Sequence, residues 1–281
     1  MAVNNITLNS AVLGRTIQIN GHIVHFVESE GDTPILLVHG LGFSLYSMRN
    51  VYNDLVQRGY RVIAVDIPGC GYSKANPKIR MFPDEVSDTL AKLLEALKIE
   101  KTNIYAIAEG AIYSIRMYQL YPEKVISMVL ASPGSITKHY PLKYRNLTMP
   151  IVGEIILKMM KRTHISHFLR WMMFNETAVT SSLERQTYQP FEQKEAKLGL
   201  LNLLRDYIDI YVFSNLAKVY CPVKFIWGDY DKGHPMNMST LFLKRIENAS
   251  FTLINNSGHL VHEERPKMVC DVIDRFIAFN S

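Results

Sequence analysis

The sequence predicts an α/β fold, with a mostly parallel central sheet flanked by helices and interrupted by a helical insertion. In the first half, short β-branched runs alternate with single amphipathic stretches. Strands separated by single helices imply right-handed crossovers and parallel pairing. The alternation stops between residues 135 and 218, where apolar residues recur only at helical spacing, and it resumes afterwards. We therefore expect one α/β core, residues 1–134 and 219–281, split by a helical cap, residues 135–218.

Five segments of the first half are predicted to be strands because they are short, apolar and rich in β-branched residues. They are Ile23–Val27, Pro34–Val38, Arg61–Val65, Asn103–Ala108 and Lys124–Ala131. These strands form the first part of the expected sheet.

Helices are predicted where apolar residues recur every three or four positions. The residues from Met48 to Val56 mark the first helix in this way, and Val86–Leu97 and Gly110–Leu120 mark the next two. Each falls between two predicted strands, as a βαβ crossover requires.

The same rhythm returns after the insertion. Val223–Trp227 and Ser250–Ile254 are predicted strands, with a helix around Met236–Ile246 between them. A last helix follows Pro266, which fits a first helical turn because its missing N–H would have no partner there.

The composition is that of a folded protein. Of 281 residues, 48% are hydrophobic and 20% are charged, which excludes a largely disordered chain. The net charge of +5 is spread along the sequence, so no basic block indicates a nucleic-acid partner. No stretch reaches the ~18 apolar residues that a membrane span needs.

Three cysteines lie far apart and form no paired motif. Together with the lack of a visible secretory signal, this usage predicts a reducing, cytoplasmic location. The most apolar stretch, Met149–Met160, is interrupted by Glu154 and Lys158. We expect it to pack as a helix over an apolar pocket rather than to lie on a membrane surface.

Distinctive residues follow five of the predicted strands. In a parallel sheet the carboxyl ends of the strands share one edge, where ligand sites form. The five segments are His39–Phe43, Asp66–Ser73, Ala108–Ala111, Trp227–Asp231 and Ser257–His259.

In their order and spacing these segments resemble the α/β-hydrolase superfamily over nearly the whole chain. The resemblance implies a catalytic triad in the order nucleophile, acid, histidine. Asp231 takes the place of the acid, with Asp229 as a spare candidate, and His259 that of the general base. The elbow that carries the nucleophile corresponds to position 108.

At the elbow the sequence departs from the superfamily pattern Gly-x-Ser-x-Gly. Ala106 replaces the first glycine, and Ala108 stands at the nucleophile position. A methyl group cannot attack a carbonyl carbon. The resemblance still implies an oxyanion hole formed by the backbone N–H groups of Leu41 and Glu109, and it makes Phe43 and Trp171 candidates for substrate contact.

Three interpretations of Ala108 remain open. The chain is a hydrolase of an apolar ester, thioester or C–C-linked acyl substrate whose serine has been replaced, which leaves an inactivated form. Alternatively, it is a natural ligand-binding pseudo-enzyme. In the third interpretation it is a lyase, oxygenase or isomerase that uses only His259 and Asp231. All three predict a small apolar substrate or ligand and neither a cofactor nor a metal, and the oligomeric state is not indicated.

The other polar residues near these turns receive structural assignments. We expect His39 to pack within its loop and the side chain of Glu109 to face the pocket wall or solvent without taking part in chemistry. His22, His25 and His262 are expected to be solvated. The Met and aromatic residues of 159–174 are expected to form a lid over an apolar cleft.

Overall fold

The centre of the computed structural model, which describes residues 7–10, 13–134, 146–207 and 210–280, is an eight-stranded sheet. Its strands are Arg15–Ile19 (β1), His22–Glu28 (β2), Thr33–Val38 (β3), Tyr60–Val65 (β4), Thr102–Ile107 (β5), Val125–Ala131 (β6), Val223–Gly228 (β7) and Ala249–Ile254 (β8). They lie in the order β1-β2-β4-β3-β5-β6-β7-β8. The pairs β1–β2 and β2–β4 are antiparallel and the others are parallel, which confirms the predicted fold class.

The α-helices of the described residues flank this sheet or fall between β6 and β7. They are Arg49–Gln57 (α1), Pro83–Ala96 (α2), Glu109–Leu120 (α3), Val152–Lys158 (α4), Arg162–Met172 (α5), Ser181–Tyr188 (α6), Lys194–Asp206 (α7), Ile210–Ser214 (α8), Ser239–Leu243 (α9), Val261–Glu264 (α10) and Pro266–Asn280 (α11). Within the described part of the chain, no helix is both long and apolar enough to cross a membrane.

The core lies on both faces of the sheet because side chains alternate along each strand. In β3, Ile35 and Leu37 join one cluster of buried residues, together with apolar side chains of α1 and α11. Leu36 and Val38 point the other way, into a second cluster with α2 and α3. Both faces of the central strands are therefore covered, which explains their continuous apolar runs.

The strand β1 is absent from the sequence prediction. It is an edge strand with mostly exposed residues, so it lacks a continuous apolar run. The signal that identifies it is Asn20-Gly21, where both residues have positive φ values, 52° and 78°. An Asn-Gly pair between two strands is typical of a tight hairpin turn, and β1 pairs with β2 across it.

Between β6 and β7 the described residues form helices joined by turns and no strand, in agreement with the helical periodicity. The predicted start of the cap at residue 135 lies outside the described residues. Within Met149–Met160, residues Val152–Lys158 are helical and Ile156, Leu157, Met159 and Met160 line an apolar pocket, as expected. Only Gly153 and Leu157 of this stretch are buried, however, and most of its apolar side chains are exposed. The three cysteines are free and buried, and the cytoplasmic location stays a prediction.

Helix α7 docks on the Asp66–Ser73 loop through two glycines. A Cβ added at Gly199 would lie 2.5 Å from the Cα of Gly69. At the end of the same helix, Asp206 accepts hydrogen bonds from the backbone N–H of Met81 at 2.7 Å and from Arg80. Helix α7 is therefore fixed to the connection between β4 and α2.

Replacing Gly199 with alanine is expected to lower the free energy of unfolding by up to about 2 kcal/mol. Alanine stabilises a helix by ~1 kcal/mol relative to glycine. Overpacking costs about 1–3 kcal/mol, and here the added Cβ would meet the backbone of Gly69, which cannot move aside as easily as a flexible side chain. Chemical denaturation measures the difference. The neighbouring Leu198→Ala, at a 40% exposed position, is the control. A Gly199→Ala variant as stable as this control would contradict the close docking.

Candidate active site

Ala108 lies at a sharp turn between β5 and α3. Its φ and ψ are 52° and −122°, in a region that favours glycine, and its side chain is buried. The backbone N–H of Ala108 donates to the carbonyl of Ala131 at 3.0 Å, which ties the turn to the end of β6. Gly110, two residues on, packs so closely on the backbone of His39 that a side chain would not fit. A strained backbone held by its surroundings is common at functional sites.

His259 and Asp231 form a buried pair at the ends of β8 and β7. The Nδ1 atom of His259 lies 2.8 Å from Oδ2 of Asp231. The other carboxylate oxygen, Oδ1, accepts hydrogen bonds from the N–H groups of Gly233 and His234 at 2.9 and 2.8 Å. The backbone N–H of His259 donates to the carbonyl of Met172 at 2.7 Å. Met172 belongs to the helices between β6 and β7, which we call the helical segment, so this segment helps to position the imidazole. Both carboxylate oxygens are thus satisfied, and Asp231 can hold the ring in one orientation.

The two groups stabilise each other's charged form. Burial alone would raise the pKa of Asp231, but the nearby His259 outweighs burial and the pKa is lowered. Burial would lower the pKa of His259, whereas the carboxylates of Asp231 and Glu109 raise it further than burial lowers it. An imidazole with a raised pKa is a stronger base, which suits a group that takes a proton from a hydroxyl.

Glu109 contributes a second carboxyl group to the site, beside that of Asp231. Its side chain is buried, lines the same cavity as Ala108 and His259, and accepts a hydrogen bond from the backbone N–H of Leu41 at 3.1 Å. Of the two positions expected for this side chain, the structure shows the pocket wall and not the solvent. The backbone N–H of Leu41 therefore already has a side-chain oxygen of Glu109 as its hydrogen-bond partner.

Ala108, Glu109 and His259 all line one cavity at the edge of the sheet. It is lined by Gly40, Leu41, Phe43, Ser47, Ile107, Ala108, Glu109, Phe168, Trp171, Met172, Gly233, His234, His259, Leu260 and His262. The two predicted substrate contacts, Phe43 and Trp171, both lie in this wall. Phe168 stands between them, with ring centroids 6.2 Å from each. The lining is thus aromatic on the side of the helical segment and polar on the side of the sheet.

Sequence analysis missed His234 and Ser47 as lining residues. The His234 ring lies 4.7 Å from that of His259, nearly perpendicular to it, and its Nδ1 donates to the carbonyl of Ser132 at 2.8 Å. Burial lowers the pKa of His234, and so does the neighbouring His259, so the ring is neutral. The available signal was Asp231 itself, because an aspartate side chain often accepts hydrogen bonds from backbone N–H groups two or three residues further on, as it does here from Gly233 and His234.

The assignment of His22, His25 and His262 as solvated is wrong. All three are buried. His25 contacts Asp66 at 2.7 Å, and His22 contacts Glu85 at 3.1 Å, so carboxylates make their burial tolerable. Burial lowers the pKa of His262 to about 3, so it is a neutral ring.

Several other assignments fit the observed contacts. His39 packs within its loop, where Nε2 accepts from the N–H of Ile67 at 3.1 Å. Asp66 is fully buried and accepts from the N–H of Leu45 at 2.6 Å, so the Asp66–Ser73 loop is a structural element. Asp229 is exposed and accepts from the N–H of Ser257 at 3.1 Å, so the spare candidate does not pair with His259.

Within the described ranges no three His, Cys, Asp or Glu side chains form a metal-binding group.

The raised pKa of His259 predicts a pH dependence for a variant that carries a serine at position 108. Because the base form is lost as pH falls, kcat/KM should rise with pH through a midpoint above the pKa of a free imidazole. Glu109→Gln should move this midpoint to lower pH, since the carboxylate raises the pKa. Ester hydrolysis across pH measures both. Glu123→Gln, at an exposed carboxylate, should leave the midpoint in place, and a shift to higher pH in Glu109→Gln would refute the assignment.

Comparison with known proteins supports the fold. A family model described as alpha/beta hydrolase fold matches residues 33–152. An uncharacterized hydrolase, YugF of Bacillus subtilis, is 22% identical, over 92% of this chain and 94% of its own. The 2-hydroxy-6-oxononadienedioate/2-hydroxy-6-oxononatrienedioate hydrolase of Escherichia coli is 25% identical, over 96% and 94%. The crystal structure of Cfl2 from Burkholderia cenocepacia superposes with a TM-score of 0.83 at 23% identity, over 94% and 95%.

Proposed function

Because this chain has the α/β-hydrolase fold, we propose that its site is that of a hydrolase for an apolar ester, thioester or C–C-linked acyl substrate, with Ala108 in place of the serine nucleophile. The observation that carries the proposal is the backbone of Ala108. A left-handed φ costs a residue with a Cβ roughly 1–2 kcal/mol, and glycine would avoid that cost. The conformation aims the Cβ into the cavity that His259 also lines.

The proposed roles follow from the contacts. A serine at position 108 would lose its proton to His259 and attack the acyl carbon, while Asp231 holds and stabilises the imidazolium. The N–H groups of Leu41 and Glu109 would hold the oxyanion, after the Glu109 carboxylate has left the N–H of Leu41. As the tetrahedral intermediate collapses, the bond from the acyl carbon to the leaving group would break, and the leaving group would take the proton from the His259 imidazolium. A water that gives a proton to His259 would then attack the acyl-enzyme, and the serine would recover that proton as the acid is released. The chemistry needs no cofactor.

The helical segment supplies the apolar part of the proposed site. We propose that residues 135–218 act as a cap, and that Phe43 and Trp171 contact the apolar group of the substrate. Relatives named as hydrolases support hydrolytic chemistry at this edge of the sheet.

A second candidate function is proton transfer by His259 and Asp231 without an acyl-enzyme. The buried 2.8 Å contact between them favours this candidate over a binder, which has no chemical need for the pair. It predicts that the unsubstituted chain is active and that His259→Ala abolishes this activity.

Covalent labelling with a fluorophosphonate tests the proposal. Such probes react with a serine that a neighbouring base activates. We expect Ala108→Ser to gain one phosphonyl group on the peptide containing residue 108, and the unsubstituted chain to gain none. Adding Ser47→Ala should leave labelling intact, which excludes the serine already in the cavity wall. An Ala108→Ser variant that folds but stays unlabelled would refute the proposed role of position 108.

A further inference from the structure

Exposed apolar side chains are concentrated at one place on the helical segment. Of the sixteen large hydrophobic residues exposed in the described part of the chain, six fall between Met149 and Met159. They are Met149, Ile151, Val152, Ile155, Ile156 and Met159, and Ile151 is 73% exposed. Together with Lys158, Lys161 and Arg162 we call them the apolar-basic patch. A contiguous group of this kind marks an interaction surface rather than ordinary surface variation.

The charge of the apolar-basic patch has one sign. Lys158, Lys161 and Arg162 are exposed and form no ion pair with a described residue. The acidic residue within the stretch, Glu154, is paired with Arg205 at 2.8 Å. The surface therefore presents apolar side chains beside uncompensated positive charge, which complements an anionic, partly apolar partner.

An apolar groove of about 730 Å³ opens beside the patch. Ile156, Met159 and Lys161 belong to both, and the rest of the lining is mainly Leu, Met, Ile and Phe. Leu41, Phe43 and Phe168 line this groove and also the cavity of Ala108 and His259. An apolar chain that leaves a surface at the patch would thus enter the groove and reach the aromatic wall of the candidate site.

We propose that the apolar-basic patch docks this protein on an anionic lipid surface, from which the groove takes the apolar chain of a lipid-like substrate. The delivery of substrate rests on the proposed function, whereas the docking does not. A second copy of the chain is a poorer occupant, because a two-fold contact through this patch would bring its basic residues together. The helix at the centre of the patch, Val152–Lys158, has seven residues, so it would lie in the lipid interface and would not span the bilayer.

Vesicle co-sedimentation tests the docking, with the chain as it is. We expect binding to vesicles of phosphatidylcholine mixed with phosphatidylglycerol, little binding to phosphatidylcholine alone, and release at high salt. Ile155→Ser combined with Met159→Ser should abolish binding, and Lys158→Glu combined with Lys161→Glu should weaken it by at least ~20-fold, at roughly fivefold for each removed charge. Phe279→Ser, at an 87% exposed apolar residue outside the patch, is the control and should bind normally.

Three outcomes would overturn the docking proposal. They are equal binding to both kinds of vesicle, equal loss of binding in the control, and a dimer in size-exclusion chromatography that the patch variants dissociate. Thermal unfolding of each variant separates loss of binding from loss of fold. Since no step requires turnover, failure here leaves the proposed hydrolase site standing, and failure of fluorophosphonate labelling leaves the docking standing.

Discussion

Replacing Ala108 with serine is expected to raise kcat for hydrolysis of p-nitrophenyl esters by at least ~10⁴-fold over the unsubstituted chain. Loss of a nucleophile of this kind costs on the order of 10⁶ in rate, while the oxyanion hole and binding alone retain a smaller part of the catalysis. Full recovery is not expected, because the Glu109 carboxylate holds the N–H of Leu41 and must move for the oxyanion. Steady-state kinetics with short and medium acyl chains measures the gain.

The control for this gain is Ala108→Gly. Glycine relieves the strained φ of 52° without supplying a nucleophile, so it separates a backbone effect from chemistry. We expect it to increase stability slightly and to leave the rate unchanged. A serine variant that folds and binds ester but hydrolyses it no faster than the glycine variant would rule out a nucleophile elbow at this turn.

In the serine background, Asp231→Asn is expected to lower kcat by roughly 10⁴-fold. The asparagine amide would favour the wrong tautomer of His259 and could not stabilise its charged form, which the 2.8 Å contact now does. The pKa of His259 should fall in the same variant, since Asp231 raises it. Kinetics and an NMR titration of the imidazole measure the two effects.

The matched control is Asp229→Asn. This exposed carboxylate lies two residues away and accepts a hydrogen bond from the N–H of Ser257 rather than from His259. We expect a change of only a few fold in rate. Similar losses in both variants would mean that the acid acts through the loop and not through the imidazole.

Much of the fold follows from local sequence. The central parallel strands are buried on both faces, so their apolar runs are visible in the sequence without knowledge of the neighbouring strands, as in β3 and β5. The positions of Asp231 and His259 follow from strand ends, because a parallel sheet brings those ends to one edge. The edge strand β1 was not predicted, because most of its residues face solvent and it therefore has no continuous apolar run.

The contacts within the site are less predictable. The hydrogen bond from Leu41 to Glu109 joins residues far apart in the chain, and nothing local marks it. The burial of His22, His25 and His262 depends on how distant elements pack over them, and a polar residue in a turn gives no sign of this. The exposure of the apolar residues in Met149–Met159 could not be predicted either. Apolar residues at helical spacing indicate that a helix has an apolar face, but they do not show whether another element packs on that face.

The central claim is that position 108 and His259 act as one unit, and a double-mutant cycle in ester hydrolysis tests it most directly. It compares the unsubstituted chain, Ala108→Ser, His259→Ala and the double variant. We predict that serine raises kcat by several orders of magnitude with His259 present and by less than about tenfold without it. An equal gain from serine in both backgrounds would contradict the account, because the imidazole would then have no part in activating a nucleophile at this turn.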